Sequence, residues 1–224
     1  MSHTYGSLIA LDDITVTIGA GEFVFVVGPS GAGKSTFLKL IHGEFKPKVG
    51  GLWIGDAALH ELPRRRFGRI RRRIGFVFQD YKLLPNLTAL ENVAFAIQVA
   101  DVWLPGSEVT RRSTRLLTQV GLGDRLNAFP AQLSGGQQQR LAIARALASR
   151  PTILLADEPT GNLDEENAQQ IVELLERLAW AGATVVFATH DLQKVRTRQH
   201  RVIRLMEGTL RDDVLSPSLL CSAE

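Results

Sequence analysis

Short apolar runs alternate with stretches of helical periodicity along most of the chain. The runs at 23–27, 74–78, 153–156 and 185–188 are almost continuously hydrophobic, which is typical of strands buried on both faces of a parallel sheet. Residues 14–18 instead alternate apolar and polar positions, which predicts a strand with one face in water. Helical periodicity and flanking glycines predict helices at 34–42, 90–100, 109–120, 136–148 and 165–179.

The alternation predicts an α/β fold with a sheet of parallel strands covered by helices. No long linker, internal repeat or low-complexity segment interrupts the 224 residues, so we expect a single domain over 1–224. Residues 81–132 carry helical patterns without a good strand. We therefore expect a helical subdomain at 81–132, inserted in a catalytic core formed by 1–80 and 133–224.

The composition excludes several classes of protein. Hydrophobic residues make up 45% and charged residues 22%, which is typical of a globular protein and not of disordered or collagenous chains. No apolar stretch approaches the about 18 residues needed to cross a bilayer, and the first residues lack a signal-peptide pattern. The single cysteine, Cys221, allows neither an internal disulfide nor a cysteine-based metal site. These features favour a protein of the reducing cytosol without a membrane span.

The positive charge is concentrated in one segment. Seven arginines and no acidic residue lie between Arg64 and Arg73, so the rest of the chain is net acidic although the whole carries a formal charge of +3. Such a block is most often a solvated helix face, but it can also contact anionic lipid headgroups. Nucleic acid is less favoured because Phe67 is the only aromatic residue among the arginines.

Residues 28–35 have the pattern G-x-x-x-x-G-K-S between a predicted strand and a predicted helix, the context of a phosphate-binding loop. Glycines let backbone N–H groups turn toward a phosphate, and the helix N-terminus adds a favourable dipole. Lys34 is expected to reach the β- and γ-phosphate oxygens, and the Ser35 hydroxyl to bind Mg²⁺. The predicted nucleotide contacts of this loop are Gly28, Pro29, Ser30, Gly31, Ala32, Gly33, Lys34, Ser35 and Thr36.

Two acidic residues follow the predicted strand 153–156. Asp157, at the end of the strand, is in position to organise Mg²⁺ beside the phosphate loop. Glu158 would face the γ-phosphate and could orient and polarise an attacking water molecule. The pair predicts nucleotide hydrolysis as well as nucleotide binding.

A second glycine-rich turn, Leu-Ser-Gly-Gly-Gln at 133–137, precedes the predicted helix 136–148 and forms a second candidate anion site. The first loop already surrounds one γ-phosphate. A chain with both elements therefore suggests that each completes a nucleotide site on a partner chain. The predicted contacts of this turn are Ser134, Gly135, Gly136 and Gln137.

The pentapeptide resembles the signature of ATP-binding cassette (ABC) ATPases, and other motifs of that family follow in its order. The resemblance implies a P-loop NTPase of the ABC type, with a RecA-like core, a mixed sheet and an inserted helical subdomain. It also implies ATP hydrolysis with ATP and Mg²⁺ in a head-to-tail homodimer.

The same resemblance assigns roles to further residues. Tyr5 would stack on adenine, Gln79 would touch Mg²⁺ and link to a membrane partner, and His190 would contact the γ-phosphate. Residues 161–164, Gly-Asn-Leu-Asp, would communicate across the dimer. The implied catalytic residues are Lys34, Gln79, Glu158 and His190, and the implied metal ligands are Ser35, Gln79 and Asp157.

The N-terminus departs from the family pattern, in which a first strand precedes the stacking aromatic. Only residues 1–4 precede Tyr5. Either the start is truncated or misassigned, or the strand is missing.

Within the family, the short spacing and the absence of heptads exclude chromosome-maintenance ATPases, and the single cassette excludes translation-type ATPases. Residues 76–80, 83–85, 91–95 and 154–164 resemble the FtsE-type cell-division ATPases of bacteria. That subgroup implies a membrane partner of the FtsX type docking on 81–132, no nucleic acid, and regulation of septal cell-wall hydrolases. The implied location is the cytoplasmic face of the inner membrane, as a peripheral subunit.

Three alternatives stay open. The ATPases of lipoprotein-release and macrolide-efflux transporters share 130–133 and 156–161 with this chain. A nucleotide-gated scaffold with little turnover could use the same residues. A nucleic-acid ATPase would use the arginines of 64–73.

Overall fold

A computed structural model describes residues 1–215, so Cys221 lies outside the described residues. The strands are β1 His3–Tyr5, β2 Leu8–Leu11, β3 Phe23–Val27, β4 Trp53–Ile54, β5 Ala57–Ala58, β6 Ile74–Val77, β7 Ile153–Asp157, β8 Thr184–Thr189, β9 Arg201–Met206 and β10 Thr209–Val214. The α-helices are α1 Lys34–His42, α2 Phe67–Arg71, α3 Ala89–Ala100, α4 Gly106–Gln119, α5 Gly135–Ala146, α6 Glu165–Trp180 and α7 Leu192–Arg196. Short 3₁₀ turns occur at Arg64–Arg66, Pro130–Gln132 and Leu147–Ser149.

Six strands form the main sheet, in the order β10-β9-β3-β8-β7-β6. All neighbours pair in parallel except β10, which is antiparallel to β9. The four continuous apolar runs of the sequence are β3, β6, β7 and β8, and every residue of β3, β6 and β8 is buried. The predicted α/β fold with a mixed sheet is thus confirmed.

Helices cover both faces of this sheet, and each face has its own core. Val24 and Val26 of β3 pack with Phe37 and Leu38 of α1 in one core. The alternate β3 residues, together with side chains of α3, α4, α5 and α6, form the other core. Because successive strand residues point to opposite faces, β3 places α1 on one face of the sheet and α5 on the other.

The predicted helices are present, with small shifts at their ends. The helix 34–42 agrees at both ends, whereas α4 begins at Gly106, directly after Pro105. α3 begins one residue earlier than predicted, because Thr88 and Glu91 form a reciprocal capping box at its N-terminus. α5 ends at Ala146 and continues as a 3₁₀ turn, so the predicted end at 148 is slightly too late.

The predicted strand at 14–18 is wrong. These residues form no ladder with another strand among the described residues, and Ile14 instead pairs with the backbone of Met1 through two hydrogen bonds. An alternating pattern becomes a strand only where a neighbouring strand supplies hydrogen bonds. The hairpin β9–β10 was missed because its second strand carries mostly charged and half-buried residues.

Residues 81–132 contain α3, α4, the Pro130–Gln132 turn and loops, without a strand. Their separation from the core as a subdomain stays a prediction. Among the described residues, no helix combines the length and apolar character that a membrane span requires.

Candidate functional site

The glycine-rich loop 28–35 connects β3 to α1 and is held against two other strands. A side chain on Gly28 would place a Cβ 2.2 Å from the carbonyl oxygen of Leu205, and one on Gly33 would come within 2.6 Å of that of Ala10. Gly33 also has a φ of 100° as the N-cap of α1 and offers no side-chain cap to that helix. The first N–H groups of α1 therefore have no side-chain acceptor from the cap and can bind an anion.

Lys34 folds back over this loop. Its Nζ donates hydrogen bonds to the carbonyl oxygens of Gly28 at 2.8 Å and Pro29 at 3.0 Å. The same Nζ lies 3.4 Å from Oε1 of Glu158, and the side chain is only 5% exposed. The ammonium group is thus held at the mouth of the loop, where a phosphate would take over its contacts.

Ser35 and Asp157 join the phosphate loop to the end of β7. The Ser35 hydroxyl donates a 3.0 Å hydrogen bond to Oδ1 of Asp157. Burial raises the pKa of Asp157, the Ser35 hydrogen bond opposes this shift, and the charge of Glu158 adds to it. Because burial makes the ionised form of Asp157 costly, a cation close to this carboxylate would stabilise it.

The donor set around Asp157 fits Mg²⁺. This ion prefers hard oxygen ligands and keeps positions for water and substrate phosphates. The Ser35 hydroxyl and the Asp157 carboxylate meet that requirement, and the Gln79 amide shares the space beside Gly161 with Glu158. Among the described residues, no group of three or more His, Cys, Asp or Glu side chains forms a metal cluster.

Glu158 is the centre of the candidate site. It follows β7 with a φ of 46°, and its backbone N–H donates to the carbonyl oxygen of Ala188 in β8. Its Oε2 lies 2.7 Å from Nδ1 of His190, directly after β8. The left-handed backbone is costly for a residue with a side chain, and such strain is often found at functional positions.

Gln79 lies two residues after the end of β6 and reaches the same cluster. A Cβ on Gly161 would lie 3.6 Å from Nε2 of Gln79 and 3.7 Å from Oε2 of Glu158, so these two side chains border the same small space. The Asn162 amide also donates to the carbonyl oxygen of Gln79 at 3.5 Å. The carboxyl ends of β6, β7 and β8 therefore bring together the residues predicted from three separate segments: Gln79, Asp157, Glu158 and His190.

The second glycine-rich turn lies at the N-terminus of α5, where a Cβ on Gly135 would lie 3.9 Å from the carbonyl oxygen of Asn162. Ser134 and Gln137 form a capping box at the N-terminus of α5, in which each side chain accepts from the backbone N–H of the other. Gly136 is packed so closely on α6 that a Cβ would lie 2.3 Å from Oδ1 of Asn167. α5 and α1 cover opposite faces of the sheet, so the sheet separates the two helices that carry the glycine-rich turns.

Tyr5 lies in β1, 41% exposed, with its ring centroid 5.0 Å from that of His3 and 5.5 Å from that of Phe45. Its ring is available at the surface, in the strand that pairs with β2. Stacking on adenine stays a prediction.

Arg145 is a residue that the sequence reasoning missed. It extends from α5 to donate to the carbonyl oxygens of Tyr81 and Lys82, with a distance of 2.7 Å to Tyr81. Both loop residues have positive φ, at 58° and 50°. The bonds tie the segment after Gln79 to the helix that carries the second glycine-rich turn. No sequence motif signals two consecutive left-handed residues that lack glycine.

Comparison with known protein families identifies the family of this chain. The family model described as ABC transporter matches residues 11–161. The chain belongs to the ABC transporter family. As an ABC ATPase it binds and hydrolyses ATP, as the sequence predicted.

The relatives also confirm the resemblance to FtsE. This ABC ATPase is 47% identical to the cell division ATP-binding protein FtsE of Bacillus subtilis, over 91% of this chain and 89% of that protein. It is 43% identical to the protein of the same name from Escherichia coli, over 93% of both chains.

Solved structures agree with the fold. The cassette MJ0796, in a dimeric post-hydrolysis state bound to ADP and Pi, matches with a TM-score of 0.85 and 41% identity over 96% of this ABC ATPase and 94% of that chain. Clostridium perfringens cbiO1, part of the ABC transporter complex cbiONQ, matches with a TM-score of 0.89 and 28% identity, over 99% and 88% of the two chains.

Proposed function

We propose that this chain is the ATPase subunit of an FtsE-type membrane complex that acts in cell division. The observation that carries the proposal is the Glu158 carboxylate, which has Lys34 3.4 Å from one oxygen and His190 2.7 Å from the other. Relatives named cell division ATP-binding protein FtsE, at 43–47% identity, support the choice of cell division over other ABC systems.

Hydrolysis would take place in a head-to-tail homodimer. The γ-phosphate would be held by Lys34, Gln79 and His190 of one chain and by the 134–136 turn of the second. Two observations support this arrangement: α1 and α5 pack on opposite faces of the sheet, and the similar cassette MJ0796 forms a dimer with ADP and Pi. One chain alone supplies half of each site.

Ser35, Asp157 and Gln79 would hold Mg²⁺, which would neutralise charge on the β- and γ-phosphates. Lys34 would exchange its loop carbonyls for phosphate oxygens. His190 would donate to the γ-phosphate, which would release the Glu158 carboxylate from its present pairing. Glu158 would then accept a hydrogen bond from the attacking water and hold it in line with the phosphorus atom.

The membrane subunit would dock on residues 81–132. Phe95 and Val99, one turn apart on α3, are 51% and 63% exposed, and Val102 and Trp103 just beyond the helix are 73% and 90% exposed. These four exposed apolar residues lie close together in the sequence, and such a set fits a short helix of a membrane protein of the FtsX type. Through that partner the chain would be a peripheral protein of the cytoplasmic face of the membrane and would regulate septal cell-wall hydrolases.

The test is affinity purification of the tagged chain from bacterial membranes, followed by identification of the co-purifying membrane protein and by depletion of the chain. We expect a small multi-span partner of the FtsX type, together with a septation defect on depletion. A partner with a large periplasmic domain and normal septation would instead indicate lipoprotein release or efflux. A double variant, Val102→Ser with Trp103→Ser, should lose the partner but keep ATP binding, whereas the surface variant Trp180→Ser should keep both.

A further inference from the structure

The arginine-rich segment forms an exposed surface at the amino end of β6. Helix α2 buries Phe67 and half-buries Ile70 against the core, so the basic side chains point away from it. The arginine surface comprises Arg65, Arg66, Arg69, Arg71, Arg72 and Arg73, all of which are exposed.

No acidic side chain neutralises this surface within the described part of the chain. None of the ion pairs there, with charged atoms within 4.0 Å, includes a residue of the arginine surface. Arg71 instead donates a 2.7 Å hydrogen bond to the carbonyl oxygen of Gly43. Six positive charges on nine consecutive residues repel one another, so an anionic partner would be favoured here.

The nucleotide is not that partner. Gly43 is the C-cap of α1, whereas the phosphate loop lies at the N-terminus of the same helix. Nine helical residues separate the two ends by about 13 Å. Arg73 also precedes β6, whereas Gln79 follows it, so the arginine surface and the catalytic residues lie at opposite ends of the sheet.

An exposed tryptophan is linked by a series of contacts to α2, the helix that carries part of the arginine surface. Trp53 is 62% exposed, and its ring centroid lies 4.8 Å from that of His60. The Nζ of Lys46 donates to the carbonyl oxygen of His60 at 2.9 Å and lies 5.8 Å from the centroid of Phe67 in α2. These contacts connect Trp53 to α2. A tryptophan beside a basic helix is typical of proteins that lie on a membrane interface.

We propose that the arginine surface binds the anionic phospholipid headgroups of the membrane, with Trp53 in the interfacial layer. Phosphate-bearing headgroups match unpaired guanidinium groups in charge and in hydrogen-bond geometry. Nucleic acid offers the same phosphates, but Phe67 is buried and cannot stack on a base. This contact goes beyond docking to a membrane subunit, because the chain would make it alone.

The test is co-sedimentation of the full chain with vesicles of phosphatidylcholine, with and without phosphatidylglycerol. We expect binding only to the anionic vesicles, and weaker binding as salt is added. The quadruple variant Arg65→Gln, Arg66→Gln, Arg69→Gln and Arg72→Gln should lower the partition coefficient at least about 50-fold, since each arginine near an anionic bilayer contributes about fivefold. Trp53→Ala should lower the partition coefficient as well.

The matched control removes four exposed arginines elsewhere: Arg115→Gln, Arg125→Gln, Arg177→Gln and Arg196→Gln. It should bind the anionic vesicles within about threefold of the parent, because charges far from the contact are screened. Equal losses in both quadruple variants, binding to neutral vesicles, or displacement from vesicles by duplex DNA would each overturn the proposal. If the quadruple variant does not fold, the salt dependence of vesicle binding by the parent and the partition coefficient of Trp53→Ala test the proposal instead.

ATP turnover of the same proteins separates this proposal from the proposed function. We expect all variants to hydrolyse ATP like the parent, because none alters a nucleotide contact. An inactive parent that still binds anionic vesicles would contradict only the proposed function. An active parent that ignores vesicles would contradict only lipid binding.

Discussion

Oε2 of Glu158 lies 2.7 Å from Nδ1 of His190. The other oxygen of the same carboxylate lies 3.4 Å from Nζ of Lys34. The two groups expected to bind the γ-phosphate are therefore paired with the group expected to bind water. ATP would have to replace both pairings, which would couple the arrival of the phosphate to the release of the carboxylate.

Replacing Glu158 with Gln should stop hydrolysis while ATP binding continues. The amide keeps the shape of the side chain but loses the charge that orients water, so we expect turnover to fall by about 10²- to 10⁴-fold. Phosphate release measures the loss, and size-exclusion chromatography with ATP should detect accumulated dimers. Glu61→Gln, at an exposed position, is the control, and normal turnover in Glu158→Gln would contradict the assigned role.

Replacing Lys34 with Ala should weaken nucleotide binding itself. The side chain supplies the charged donor at the mouth of the phosphate loop, and its removal also leaves the carbonyl oxygens of Gly28 and Pro29 without their present donor. We expect the dissociation constant for ATP to rise by roughly two orders of magnitude. Titration with a fluorescent ATP analogue measures this. The exposed Lys48→Ala should bind normally, and unchanged affinity in Lys34→Ala would refute the prediction.

Gly136→Ala should disturb the contact between α5 and α6. The added methyl group would come within 2.3 Å of Oδ1 and 3.2 Å of Cβ of Asn167, so one helix has to move. We expect a loss of about 1–3 kcal/mol in the free energy of unfolding, typical of overpacking, together with reduced ATP turnover. Gly106→Ala is the matched control, because a methyl group there meets nothing within 4 Å. Denaturant unfolding that gave equal stability for both variants would argue against this close packing.

Asp164→Ala should destabilise the chain in a pH-dependent manner. The backbone and side-chain N–H groups of Asn167 donate to this carboxylate and lower its pKa below the ordinary value of 3.8. The stabilisation is therefore present above that value and is lost as the pH falls through the lowered pKa of the folded state. Thermal unfolding of parent and variant should differ most near neutral pH and converge in strong acid. The control Asp124→Ala lacks this cap, and a pH-independent difference for Asp164→Ala would contradict the assignment.

The sequence predicted the elements whose signals are local. The buried strands β3, β6, β7 and β8 are continuous apolar runs, and α1 is bounded by Gly33 and Gly43, both in the left-handed conformation that suits glycine. Lys34, Asp157 and Glu158 could be found because a loop or strand end fixes their position. The predicted strand at 14–18 is absent because a strand needs a partner strand, and no residue of the segment itself indicates whether one is present.

The site was less predictable where it depends on distant segments. The spacing between Glu158 and His190 did not reveal their direct contact, which arises because β7 and β8 are neighbours with parallel register. Arg145 donates hydrogen bonds to the carbonyl oxygens of Tyr81 and Lys82, in the loop after Gln79. Both loop residues are left-handed, a conformation for which tyrosine and lysine are not typical. Both features follow from tertiary packing.

The positions of α1 and α5 on opposite faces of one sheet have a kinetic consequence. If each active centre takes one helix from each of two chains, a single chain cannot hydrolyse ATP by itself. Below the concentration at which pairs form, the rate per molecule rises in proportion to the local density of chains. Collecting the same number of molecules at one place in the cell would then increase ATP consumption without any change in the individual subunit.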